Sequence, residues 1–174
     1  GEVESDTKVT ISGGTAENVY GGGNDADVLG KTEVIIKNGT INNVYGGGNN
    51  GKIIGNTNVS FEKGTTTTIY GGGNRGEIES NTIVSVSGGN IVDMYGGGNA
   101  AGVTGNTEVK ITGGTSTGSI FGGGNEGEIT GNTNVSFENG NSITIYGGGN
   151  KARVLGSTDV SIKSGTINTV YGGG

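Results

Sequence analysis

The chain has 174 residues, of which 42 are glycine, 29% are hydrophobic and 5% are aromatic, and its formal net charge is −6. Cysteine and histidine are absent, which excludes a disulfide framework, a zinc centre of the usual kind and histidine-based acid–base catalysis. The acidic balance runs against a nucleic-acid partner, which needs clustered Lys and Arg, and no apolar run has the length of a membrane span.

Taken in order, Gly1 to Val19 form a unit without its aromatic opening. The phrase aromatic-Gly-Gly-Gly-Asn then begins at Tyr20, Tyr45, Tyr70, Tyr95, Phe121 and Tyr146, and a shortened copy starts at Tyr171. The spacings are 25, 25, 25, 26, 25 and 25 residues, a period that marks a repeat architecture. Scattered glycine at this level would indicate disorder, but here it is phased with Val and Ile. The one extra residue falls in TSTGSI (Thr115 to Ile120), just after a turn. Residues 1–174 are therefore expected to be a single repeat segment, cut from a longer array because it starts and stops in mid-unit.

Each unit is predicted to hold two or three short strands. Thr-x-Val-x-Ile, as at Thr32, Val34 and Ile36, has the period-2 alternation of a strand. A second strand ends on the aliphatic residue before the aromatic (Val19, Val44, Ile69, Met94, Ile120, Ile145, Val170), and a very short third centres on Val3, Val28, Ile53, Ile78, Val103, Ile129 and Val154. No segment has a 3.6-residue apolar period, and β-branched residues and glycine disfavour helix.

About 25 residues cannot bury a core alone, so neighbouring units must stack. The fold expected is all-β, a parallel β-helix (β-solenoid) of about seven coils, on the order of 34 Å long at one strand spacing per coil. Four aliphatic ladders would line its interior. Charges support the stacking: residue i would lie beside i+25, pairing Lys8 with Glu33, Lys37 with Glu62, Lys52 with Asp27 and Glu77, Glu128 with Arg153 and Glu138 with Lys163. Glu2 over Asp27 is the exception. The alternative is a closed, propeller-like seven-unit ring, with the final YGGG completing the first unit; propeller blades, however, usually need about 40 residues.

Among residues able to carry function, the asparagines after the glycine triplets (Asn24, Asn49, Asn74, Asn99, Asn125, Asn150) are predicted to form an amide ladder between coils, in αL geometry at a bend. The recurrent threonines (Thr7, Thr32, Thr57, Thr82, Thr107, Thr133, Thr158) read mainly as structural, although regular threonine arrays also occur on ice-binding solenoids. The glycine triplet lacks the Gly-Lys-Ser/Thr of a phosphate loop. No residue after the asparagine is held constant as a calcium ligand would be. Glu2, Glu4, Asp6, Asp25 and Asp27 form an acidic cluster, read as a solvated edge rather than a cation site. The aromatic ladder (Tyr20, Tyr45, Tyr70, Tyr95, Phe121, Tyr146, Tyr171) is the main candidate binding surface. With the preceding aliphatic residue inward, the rings would point outward as a stacked column able to meet sugar faces or a partner. The alternative is a stabilising stack covered by glycine turns, the glycines beside the rings leaving room for close backbone approach and for positive-φ bends.

The phrase GGT-x-x-x-VYGGGN followed by VxGNTxVxI resembles repeats of large bacterial surface proteins, adhesin-like chains with pectin-lyase-like right-handed parallel β-helices. The resemblance covers the whole chain. It implies an extracellular or cell-surface structural or adhesive rod; with no catalytic constellation and no ligand held constant from copy to copy, this tandemly repeated, glycine-rich chain is expected to be no enzyme and to need no cofactor or metal. Polysaccharide lyases share that fold and use carboxylate-bound calcium with a Lys or Arg base. This chain's only arginines, Arg75 and Arg153, lie in no constant carboxylate cluster, so no catalytic residue carries over. A polysaccharide-degrading fragment remains an alternative function, beside a glycan-binding surface on the tyrosines. The partners expected are a second copy joined end to end or flanking repeats, and a glycan or host surface, with no nucleic acid and no membrane insertion.

Overall fold

The computed structural model describes residues 1–174. The chain winds as stacked coils, each holding two strands. The first coils carry β1 (Thr7–Ile11), β2 (Thr15–Tyr20), β3 (Thr32–Ile36) and β4 (Thr40–Tyr45). β5 (Thr57–Phe61), β6 (Thr65–Tyr70), β7 (Thr82–Val86), β8 (Asn90–Tyr95) and β9 (Thr107–Ile111) follow. The last coils hold β10 (Thr115–Phe121), β11 (Thr133–Phe137), β12 (Asn141–Tyr146), β13 (Thr158–Ile162) and β14 (Thr166–Tyr171).

Odd-numbered strands form one seven-stranded parallel sheet and even-numbered strands the other. The register is the repeat itself: Thr7 lies beside Thr32, Val9 beside Val34 and Ile11 beside Ile36, and so on through the stack. The expected third strand is a file of single parallel bridges from Val3 through Val28, Ile53, Ile78, Val103 and Ile129 to Val154. The closed ring does not form, because β1 and β13 are the free edges of one sheet and β2 and β14 those of the other.

Alternation explains the first sheet. In β3, β5 and β7 the first, third and fifth side chains are buried and the two between are half-exposed. The main core lies between the sheets, where Val34, Ile36 and Val44 meet equivalents such as Phe61, Ile69 and Met94. Each such side chain contributes about 1.5–3 kcal/mol when fully withdrawn from water. The Val28, Ile53, Ile78, Val103 and Ile129 file is a separate apolar compartment. A further inward file, not anticipated, occupies the second position of the even strands. It is mixed: Ile41 and Ile91 are buried there, and so are Thr66, Ser116 and Ser142.

Every turn from an odd to an even strand contains a glycine with positive φ, from Gly14 at 82° to Gly165 at 95°. A side chain would be strained there. The extra residue of the fifth spacing is absorbed in β10, whose pairing with β12 slips between Ser116 and Ser119 and is restored from Ser119 opposite Thr144 onward. The Ser119 N–H, displaced by this bulge, donates to the Asp93 carboxylate at 2.8 Å.

Candidate functional site: the aromatic-glycine corner

The corner begins where an even strand ends. Val19, Val44 and their equivalents turn inward, so the next residue's ring points the other way and lands on the ring of the next coil. All the aromatics from Tyr20 to Tyr171 form one column with centroids 4.7 to 5.1 Å apart and planes within 10° of parallel. The spacing is that of adjacent strands, so the backbone sets the stack and the rings fit it.

The expected column is present, and it is largely covered. Tyr45, Tyr70, Tyr95 and Phe121 are only 6–8% exposed, whereas Tyr171, at the end of the stack, is 50% exposed. Each internal ring has a neighbour on both faces. Face-on stacking of a sugar therefore has room only at Tyr20 and Tyr171. Burial pushes the Tyr45 and Tyr70 hydroxyls up to about 12, with neighbouring tyrosines adding to the effect. Tyr95 is also raised, by burial and then by Asp93. These phenols stay protonated throughout the physiological range.

Of the two reasons expected for the glycine triplet, close backbone approach is realised and positive φ is not. None of its residues has positive φ, and no non-glycine residue of the chain does either. Close approach of coils demands glycine instead. A Cβ on Gly46 would sit 2.2 Å from the Gly71 carbonyl oxygen, and one on Gly47 would meet Ile78 at 2.7 Å and the Gly73 nitrogen at 2.9 Å. The αL geometry expected for the asparagines is thereby corrected, since the corner turns with ordinary φ values.

The asparagine ladder itself forms. Asn49, Asn74, Asn99, Asn125 and Asn150 each donate Nδ2–H to Oδ1 of the preceding asparagine at 2.8–2.9 Å. Asn24, at the start, donates to Asp25 at 2.7 Å.

The threonine ladder is not a surface. Thr32, Thr57, Thr82, Thr107 and Thr133 are buried. Each hydroxyl donates across the coil to the carbonyl of the first glycine in its own corner, Thr32 to Gly46 and Thr82 to Gly96. This link separates the two apolar compartments and satisfies a carbonyl that the glycine corner leaves free. The ice-binding alternative fails, because its threonines face inward.

Charged files follow the expected register in part. Lys8 pairs with Glu33 at 2.9 Å, Arg153 with Glu128 at 3.5 Å and Lys163 with Glu138 at 2.9 Å. The Lys52 ammonium turns instead to Glu79, 2.7 Å away, while its backbone N–H takes Asp27. Lys37 makes no ion pair with Glu62, and Lys151 with Glu126, at 3.1 Å, is a pair the charge files had not suggested. In the acidic cluster, Asp6 accepts from the Lys31 N–H and Asp25 from Asn24 and Asn50. No three carboxylates converge there.

These features define the class: the chain is a parallel β-solenoid of about seven coils of roughly 25 residues. Compared with known proteins, it matches no family model, no curated protein and no solved structure.

Proposed function

We propose that the chain is a structural and adhesive rod module of a bacterial surface protein, working outside the cell and without catalysis. The observation that carries this reading is that every constant file joins one coil to the next or braces a coil from within. Rings stack on rings, amides bond to amides, and threonine hydroxyls brace the glycine corners. Apart from the mixed inward file of Ile41, Thr66 and Ser116, what varies from coil to coil lies on the outside, as at Asp25, Asn50, Arg75, Ala100, Glu126 and Lys151. Such a molecule presents a changing surface on a stiff, repetitive scaffold. The resemblance of its repeats to adhesin-like surface proteins points the same way.

Beads coated with the folded chain, tested on glycan arrays and cell layers, should be retained. Beads coated with a chain of the same composition in scrambled order should not. Equal retention of both, or depolymerisation of an acidic polysaccharide by the chain, would refute the proposal.

A further inference from the structure

We infer that Asn38 and Asn139 are sites of spontaneous deamidation, and that the coil stack protects the chain's one other Asn-Gly pair, Asn50-Gly51. In such a pair the glycine nitrogen attacks the side-chain carbonyl carbon of the asparagine. Glycine has no Cβ to obstruct the approach, and the reacting groups are held close by the chain itself. A nitrogen–carbon bond forms and closes a five-membered imide, while the side-chain nitrogen leaves as ammonia, taking up the proton of the glycine N–H. Water then opens the ring at either of its two carbonyls, giving aspartate or isoaspartate.

The three pairs share a sequence and differ in setting. Asn38-Gly39 and Asn139-Gly140 are turns, joining β3 to β4 and β11 to β12. Both asparagines are exposed. Neither side-chain amide is hydrogen-bonded, and neither Gly39 nor Gly140 donates its N–H to a carbonyl. The asparagine N–H groups reach Ile11 and Ile111 only at 3.5 and 3.4 Å, beyond the usual range, so these turns are loosely held. Gly39 and Gly140 have φ of 133° and 123°. The bend that demands glycine thus also leaves the attacking nitrogen unshielded and open to solvent.

Asn50 is exposed as well, but its groups are tied down. Its Nδ2–H donates to Asp25 at 2.8 Å and its backbone N–H to the Asn24 carbonyl at 2.7 Å. The Gly51 N–H, which would have to attack, donates to that same carbonyl at 3.3 Å. Gly51 is buried, and a Cβ there would lie 2.0 Å from the Ala26 carbonyl oxygen. The nitrogen is pinned against the preceding coil and cannot turn to its side chain unless the corner opens.

Conversion at Asn38 also places a charge where one is matched. Asn38, Lys63, Thr65 and Asn90 line one open hollow, and Lys63 stands one repeat beyond Asn38 without an ion pair of its own. A carboxylate at position 38 repeats the arrangement of Glu138 with Lys163, also one repeat apart and 2.9 Å from each other. The equivalents of Asn139 are Gly113 and Ser164, so a carboxylate there stays solvated.

The test is to hold the natural chain in mildly alkaline buffer, folded in one series and in concentrated urea in another. Peptide mapping with fragment sequencing by mass spectrometry places each new acid at its residue. In the folded chain Asn38 and Asn139 should convert at least about tenfold faster than Asn50, the factor set by breaking one backbone hydrogen bond. In urea the three should convert within about threefold of one another, since no coil holds any of them. Asn50 keeping pace in the folded chain would overturn the inference, as would folded Asn38 and Asn139 that stay intact while their unfolded counterparts convert. The same tenfold order persisting in urea would overturn it too, because the flanking sequence and not the fold would then set the rates.

Discussion

Thr82→Val exchanges a hydroxyl for a methyl group of nearly the same shape at a fully buried site. If this residue merely filled the interior, the change would stabilise the chain, since valine suits a buried strand at least as well as threonine. The structure requires the opposite sign. The Thr82 hydroxyl donates to the Gly96 carbonyl, and no other donor reaches that oxygen. Gly96 is itself buried, so water cannot replace the lost partner without opening the corner. An orphaned buried acceptor costs about 1–3 kcal/mol, and the added methyl returns less than about 1 kcal/mol. The net loss is about 1–2 kcal/mol, which lowers the melting temperature by roughly 2–4 °C per kcal/mol in a chain of this size. Thermal unfolding followed by circular dichroism reads the total. Amide hydrogen exchange around Gly96 locates it, with faster exchange expected there and little change in β7 itself. A variant at least as stable as the natural chain would refute the role assigned to the threonine ladder.

Gly71→Ala puts a Cβ 2.2 Å from the Gly96 carbonyl oxygen, whereas Gly13→Ala meets nothing within 4 Å. The first should lose about 3 kcal/mol or more and the second less than about 0.5 kcal/mol; similar losses in urea unfolding would show that coil approach does not dictate the triplet. Tyr95→Ala removes a ring from the middle of the column and should cost about 3–5 kcal/mol. Tyr95→Phe should be close to neutral, as Phe121 already occupies the next position. Equal effects of the two changes would instead make the hydroxyl the important group. Alkali should also unfold the chain early. Tyr45 and Tyr70 titrate at about 12 when folded against 10.0 for the free group, so the folded state disfavours the phenolate. The stability they contribute is complete below pH 10 and is lost as pH rises from 10 towards 12. A melting temperature unchanged across that window, with phenolate absorbance followed in parallel, would contradict their burial.

The fold was legible because the period was. Files such as Val9, Val34 and Val59 repeat one residue type at one spacing, and parallel in-register stacking is the arrangement that brings them together. The asparagine ladder was readable for the same reason. The mixed inward file was not, because Ile41, Thr66 and Ser116 share a position without sharing a polarity. Thr66 and Ser116 satisfy their hydroxyls locally, on the Asn42 and Val92 carbonyls, and so tolerate an apolar setting. Spacing also did not decide between the two reasons for the triplet being glycine. A positive φ and a close backbone contact leave the same mark in sequence, and only the 2.2 Å approach of Gly46 to Gly71 tells them apart. Lys52 shows the limit for long side chains: alignment placed it against Glu77, but its flexible stem reaches Glu79.

The amide ladder gives the rod an electrical direction. Asp25 carries a carboxylate, which only accepts, so the Asn24 amide must turn its N–H towards it and leave its oxygen for Asn49. That choice propagates, since each asparagine that accepts from the next must donate to the last. The amide dipoles therefore align along the solenoid axis, with the positive pole against the Asp25 carboxylate and the negative pole at Asn150. Aligned hydrogen bonds polarise and strengthen one another. One acidic side chain in the second coil thus orients a polar wire that runs to the far end of the stack.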